Sequence, residues 1–129
     1  MTWYERVINV HKAVTDSVRH NERLQSDRYF VWQEDSRNDF EAGGRHMEKV
    51  MEGTTDLYTK KQFDPWVEQF EASLEADRTI AWYLNSIQYE EETGFHHYEW
   101  VWQVPMEVMY GEMDYGRRIE WLYCLPAKA

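Results

Sequence analysis

The stretch Asp64-Pro65-Trp66-Val67-Glu68-Gln69-Phe70-Glu71-Ala72-Ser73-Leu74-Glu75-Ala76 opens like a helix and keeps helical spacing to its end. Asp64 is a capping residue, and Pro65 stands at the first helical position, where its missing N–H costs nothing. Trp66, Val67, Phe70 and Leu74 fall on one apolar stripe, and Glu68, Glu71 and Glu75 lie mostly outside it. On both sides of this helix the apolar period drops to two.

Downstream, Ala81–Tyr89 and His96–Met106 read as two strands of a hairpin. In the second, His96, Tyr98, Trp100, Trp102, Val104 and Met106 share one strongly apolar parity, and His97, Glu99, Val101 and Gln103 share the other. Glu90-Glu91-Glu92-Thr93-Gly94 connects them, with Gly94 available for positive φ. Upstream, Arg45–Lys60 reads as a long strand, better formed over Thr54–Thr59, with a bulge expected near Gly53; a helix over Arg45–Glu52 is the competing reading. Tyr29–Phe30–Val31–Trp32 has strand propensity. The polar segment Gln33–Gly44 reads as a loop.

The chain opens with a helix. Thr2 and Glu5 have capping-box spacing, and Trp3, Val7, Val10, Val14 and Val18 form a stripe that carries the helix to about His20–Asn21. His11, Lys12, Asp16 and Arg19 fall off that stripe. The element order is helix, strand, strand, helix, strand, strand. This predicts an α+β fold, a mainly antiparallel sheet with both helices on one face. The whole is one domain over residues 1–129, with 107–129 a C-terminal extension in which Ile119–Tyr123 is a candidate last strand.

Composition narrows the function. Fourteen Lys and Arg against 24 Asp and Glu leave a net charge of −10 across 129 residues. Phosphate-contacting nucleic-acid binders and polybasic membrane-surface proteins need the opposite balance. No apolar run reaches the roughly 20 residues of a membrane span, and the first residues lack a signal pattern. The single cysteine, Cys124, forms no disulfide within the chain and fits a reducing, intracellular setting; its apolar neighbours read as those of a buried, inert thiol.

Catalytic and metal motifs are sparse. Gly43-Gly44 lacks the context of a phosphate cradle. His96 and His97 are adjacent on a strand and point to opposite faces, so they do not share a metal ion; the expected outcome is one half-buried and one exposed ring. No Cys or His stands at structural-zinc spacing. Asp56 has no histidine near it in sequence, and Ser73 and Ser86 lack a nucleophile-elbow context. The expectation is no catalytic residue, no metal and no cofactor. Seven Trp and nine Tyr exceed what one small core needs, so some should face a partner. The candidate contact residues are Glu90, Glu91, Glu92 and Thr93 in the hairpin turn and Glu99, Val101 and Gln103 on the less apolar sheet face.

The runs Gly53–Lys60, Asp64-Pro65-Trp66-Val67, Tyr89–Gly94 and Tyr98-Glu99-Trp100, in this order, resemble the tail-terminator (minor tail protein U-like) and tail-completion proteins of long non-contractile-tailed phages. The resemblance is one of layout and short runs, spans about Trp3–Met106, and does not extend to the segment beyond. It implies a non-enzymatic ring, typically a hexamer, that caps the tail tube and meets the head-completion protein. It also implies assembly in the host cytoplasm, residence at the virion neck, and DNA passing through the bore without specific binding. An acidic surface suits that passage, because it repels phosphates. Two further classes stay open: a small-molecule-binding or enzymatic α+β domain, which needs a pocket with converging polar groups, and a regulatory protein that meets a basic partner.

Overall fold

The computed structural model describes residues 1–42 and 45–106. Along the chain run α1 (Trp3–Lys12), β1 (Val18–His20), β2 (Arg28–Arg37), β3 (Phe40–Ala42), β4 (Arg45–Glu48), β5 (Val50–Thr59), α2 (Trp66–Ala76), β6 (Ala81–Glu90) and β7 (Phe95–Pro105). A five-stranded sheet has the order β1-β2-β5-β7-β6, and β3 and β4 pair separately. Only the β1–β2 pair of the larger sheet is parallel. The fold is α+β as expected, with both helices contributing to one core on one face of the sheet.

Helix α1 is shorter than its stripe predicts. The capping box forms, with Thr2 and Glu5 exchanging backbone and side-chain bonds. But the helix ends at Lys12, and Val14 and Val18 leave it. Thr15, Asp16 and Ser17 explain the stop: their short polar side chains compete for backbone groups, as when the Thr15 hydroxyl accepts from Ser17 N–H at 3.1 Å. Val18 then enters β1 opposite Phe30.

As far as Ala42, the polar run read as a loop over Gln33–Gly44 is not irregular. Strand β2 continues to Arg37, and the chain goes on into β3, which pairs antiparallel with β4. The long strand read over Arg45–Lys60 is two strands parted at Lys49. The irregularity expected near Gly53 is present, but the extra residue lies across from it: Glu34 faces Gly53 and Ser36 faces Glu52, so Asp35 of β2 bulges. A Cβ on Gly53 would overlap the Trp102 indole and sit 2.5 Å from the Gln33 carbonyl oxygen, so this position accepts only hydrogen. The C-terminal extension, including Cys124 and Ile119–Tyr123, and the Gly43–Gly44 pair lie outside the described residues.

Asp64 does more than cap. It is 1 % exposed. Its carboxylate accepts from Trp66 N–H at 2.9 Å, from the Thr59 hydroxyl at 2.7 Å and from Arg28 Nε at 2.7 Å. The Arg28 guanidinium also lies 3.7 Å over the Trp66 ring. The start of α2 is thereby tied to β2 and β5. Burial pushes the Asp64 carboxyl up, but the bonds from Arg28, Trp66 and Thr59 outweigh it and hold it below its usual value. The acidic side chains of α2 also have partners: Glu71 accepts the Trp100 indole N–H at 2.9 Å, and Glu75 that of Trp82 at 2.7 Å.

The core holds Phe30 and Trp32 of β2, Leu57 of β5, Tyr98, Trp100, Trp102 and Val104 of β7, and Val7, Val10, Phe70 and Leu74 of the helices. His11, placed off the stripe from sequence, is fully buried among them. Its Nδ1 is 2.7 Å from the Val7 carbonyl and its Nε2 2.8 Å from the Thr55 hydroxyl, which itself accepts from Trp102 Nε1 at 2.9 Å. A carbonyl only accepts, so Nδ1 carries the proton and Nε2 takes the Thr55 hydrogen. The network closes with a neutral ring.

Two outcomes follow from this packing. Burial lowers the His11 pKa from 6.5 to about 4. The unfolded chain therefore binds a proton in that window that the folded chain refuses. Stability should be full above pH 6.5 and fall by about 3 kcal/mol as pH drops to 4. Urea titrations at steps across that range should show the slope, and His11→Gln should flatten it. Separately, Gly53→Ala should lose ~1–3 kcal/mol by overpacking, read as a lower urea midpoint at pH 7.5.

Candidate interaction surfaces

The face of the sheet away from the helices is where the sequence placed Glu99, Val101 and Gln103. Strand register builds it. On β5 it carries Glu52, Thr54, Asp56 and Tyr58, and on β7 Gln103, Val101, Glu99 and His97, paired in that order. Glu99 and Val101 are half-buried there. Gln103 is not a contact residue: it is 1 % exposed and donates to Glu52 at 2.7 Å. Its cross-strand neighbour on β6, Ala81, is also buried.

Asp56 stands directly opposite Glu99, and Tyr58 opposite His97. His97 Nε2 is 2.7 Å from Asp56 Oδ1, and its Nδ1 faces Glu90 Oε2 at 3.8 Å. The imidazole stacks on Tyr58 with ring centres 4.3 Å apart. Asn85, the extra residue of a bulge in β6, donates to Glu99 Oε1 at 2.6 Å. One donor atom each from Asp56, His97 and Glu99 lies within 4.8 Å of the others. Burial first, then the Asp56 charge, raises the Tyr58 hydroxyl pKa. Burial, then Glu52 and Glu99, does the same for Tyr83.

The sequence reading missed this convergence, because Asp56 and His97 are 41 residues apart. Parity alone would have put both on the less apolar face; only the β5–β7 register makes them neighbours. His96 points to the opposite face, as adjacency requires, where its ring lies 4.8 Å from that of Tyr89. Both histidines are half-buried, rather than one exposed.

The acidic turn divides. Gly94 adopts φ +77°, and its N–H returns to the Glu90 carbonyl at 2.8 Å. Glu91, Glu92 and Thr93 are exposed at the tip, while Glu90 is half-buried beside His97. The candidate contact residues thus form two places, an open tip and a packed charged cluster.

A third feature lies at the β1 edge. Between α1 and the β1–β2 pair runs a groove of about 480 Å³ lined by Trp3, Tyr4, Ile8, Val18 and Trp32, with Lys12, His20 and Glu34 among its polar residues. His20 stacks on Trp32 at 4.0 Å and bonds Glu34 at 2.7 Å. At the opposite edge, β6 leaves Ile87 60 % and Tyr89 58 % exposed. Some of the aromatic surplus is therefore uncovered as expected, although Trp100 and Trp102 are wholly core. No helix among the described residues is long and apolar enough to cross a membrane.

No family model and no curated protein matches the chain. Among solved structures it is similar to a chain of the virion of a native gene transfer agent (GTA) particle. The TM-score is 0.43 and the identity 11 %, covering 83 % of this chain and 92 % of that one.

Proposed function

We propose that this chain is a structural, non-enzymatic subunit of a phage-type particle, a ring at the head-proximal end of the tail tube that joins tail to head. The observation that carries the reading is the unlike pair of apolar surfaces at the two ends of one sheet. The aromatic groove lies at the β1 edge, and the exposed Ile87 and Tyr89 lie on the ten-residue edge strand β6. Unlike patches on one subunit associate head to tail, and such contacts close into rings when the rotation permits. An uncovered edge strand is itself a template for pairing. The layout that resembles tail-terminator proteins supports the same reading: α1, the β2–β5 pair, α2 opening at Asp64-Pro65-Trp66, then the β6–β7 hairpin with its acidic tip. In this reading the chain contacts further copies of itself, a tail-tube protein and a head-completion protein. The exposed Glu91 and Glu92 face the bore or a neighbouring ring.

Charge sets the conditions. Each copy brings −10 to the ring, so association competes with repulsion whose reach is about 30 Å at 0.01 M salt and 3 Å at 1 M. Sedimentation velocity should find a monomer near 15.8 kDa at low salt and a discrete larger species at high salt or on tube ends. Ile87→Glu should hold the protein monomeric throughout. A wild-type monomer at every salt, with tube protein present, contradicts the reading. Exchange of the exposed Glu91 and Glu92 for Lys should leave the near-ultraviolet spectrum unchanged and lower the yield of joined particles; an unchanged yield removes the tip from the joint.

A further inference from the structure

Asp56 and Glu99 are direct cross-strand partners on the two central strands, β5 and β7. Like charges in that position oppose the pairing of the strands that carry them. Glu52 and Glu90 lie on the same side of the sheet and add to the negative potential. Arg23 is engaged over the Tyr58 ring at 4.2 Å. Beside them stands the His97 imidazole, and three features fix its orientation. It stacks on Tyr58, its Nε2 is directed at Asp56, and its Nδ1 faces Glu90.

We propose that Asp56, His97 and Glu99 form a binding site for one divalent first-row transition cation, of the Mn²⁺ or Zn²⁺ class. The donor atoms already lie within 4.8 Å of one another. Bonds of about 2.0–2.2 Å to a common ion bring them to roughly 3–4 Å, a change within the reach of side-chain torsions. In the metal-free protein Nε2–H donates to Asp56; a bound cation takes the place of that proton, and the ring then carries its proton on Nδ1, on the side of Glu90 3.8 Å away. Asn85 holds Glu99 in place through Oε1. One nitrogen and two carboxylates suit a transition ion better than Mg²⁺ or Ca²⁺, which favour oxygen throughout. Positions on the ion not filled by these three residues take water or an acidic group from a partner. A bound cation converts the opposed carboxylates from a weakness in the centre of the sheet into a bridge between β5 and β7. The inference rests on register and contacts alone and stands whether or not the chain forms rings.

The test is titration of the full-length, chelator-treated protein with MnCl₂, with the free-ion signal followed by electron paramagnetic resonance. One Mn²⁺ should bind saturably per chain and be displaced by ZnCl₂. An equal concentration of MgCl₂ should compete poorly. A nitrogen hyperfine coupling should be present and should vanish in His97→Gln. Glu99→Gln, which keeps the shape and a partner for Asn85, should weaken binding at least tenfold while leaving the near-ultraviolet dichroism of the tryptophans intact. Asp56→Asn should do the same, and if it perturbs the fold, Glu99→Gln still decides. The proposal is overturned by no saturable binding, by equal competition from Mg²⁺, by a nitrogen coupling that survives His97→Gln, or by affinity unchanged in Glu99→Gln.

Discussion

A chain of three hydrogen bonds holds the molecule in register: the Trp102 indole to the Thr55 hydroxyl, that hydroxyl to the His11 imidazole, and the imidazole to the Val7 carbonyl. All three side chains are at most 1 % exposed, so none has water as an alternative partner. Each donor is used once, and the sum closes only when His11 is neutral. The chain ties the first helix to both central strands. It also requires the indole to lie close against β5, which only a glycine at position 53 permits. Asp64 performs the matching task for the second helix, joining its first turn to Arg28 and Thr59. With both helices anchored to one face, the charged residues of the central strands are left to the other.

Much of this architecture was legible in the residues, and the exceptions have physical reasons. The Asp64-Pro65 start, the β6–β7 hairpin and the apolar parity of β7 are set by local propensity and pattern, and each stands where it was expected. The capping box likewise marks the start of α1. Its end was misplaced because Val14 and Val18 continue the apolar period, while Thr15-Asp16-Ser17 break the backbone without breaking that period. His11 falls off the apolar stripe of α1, and a tertiary partner 44 residues away decides its burial. The polar run after Trp32 looked like a loop because an exposed strand end carries no apolar alternation.

The candidate surfaces divide in the same way. The acidic tip was evident as sequence, since it needs only a turn and a glycine. The Asp56–His97–Glu99 cluster was not, because its members come from two strands and converge only once the register is known. Gln103 shows the converse: it shares parity with Glu99 and Val101, yet it is buried and bonded to Glu52. The open aromatic groove depends on Val18 leaving the helix and pairing with β2, an event that the misplaced helix end concealed. The molecule thus offers a rigid core, two unlike apolar edges and one charged face. That inventory fits a subunit whose work is done by fitting against neighbours.

The most direct test of that account is to ask which surfaces meet. In a Cys124→Ser background, one cysteine in place of Tyr4 in the groove and one in place of Tyr89 on β6 can be oxidised under assembly conditions. The account predicts disulfides between positions 4 and 89 of different chains, giving a ladder that stops at a fixed ring size. Links between like positions only, or no links between chains, would contradict it.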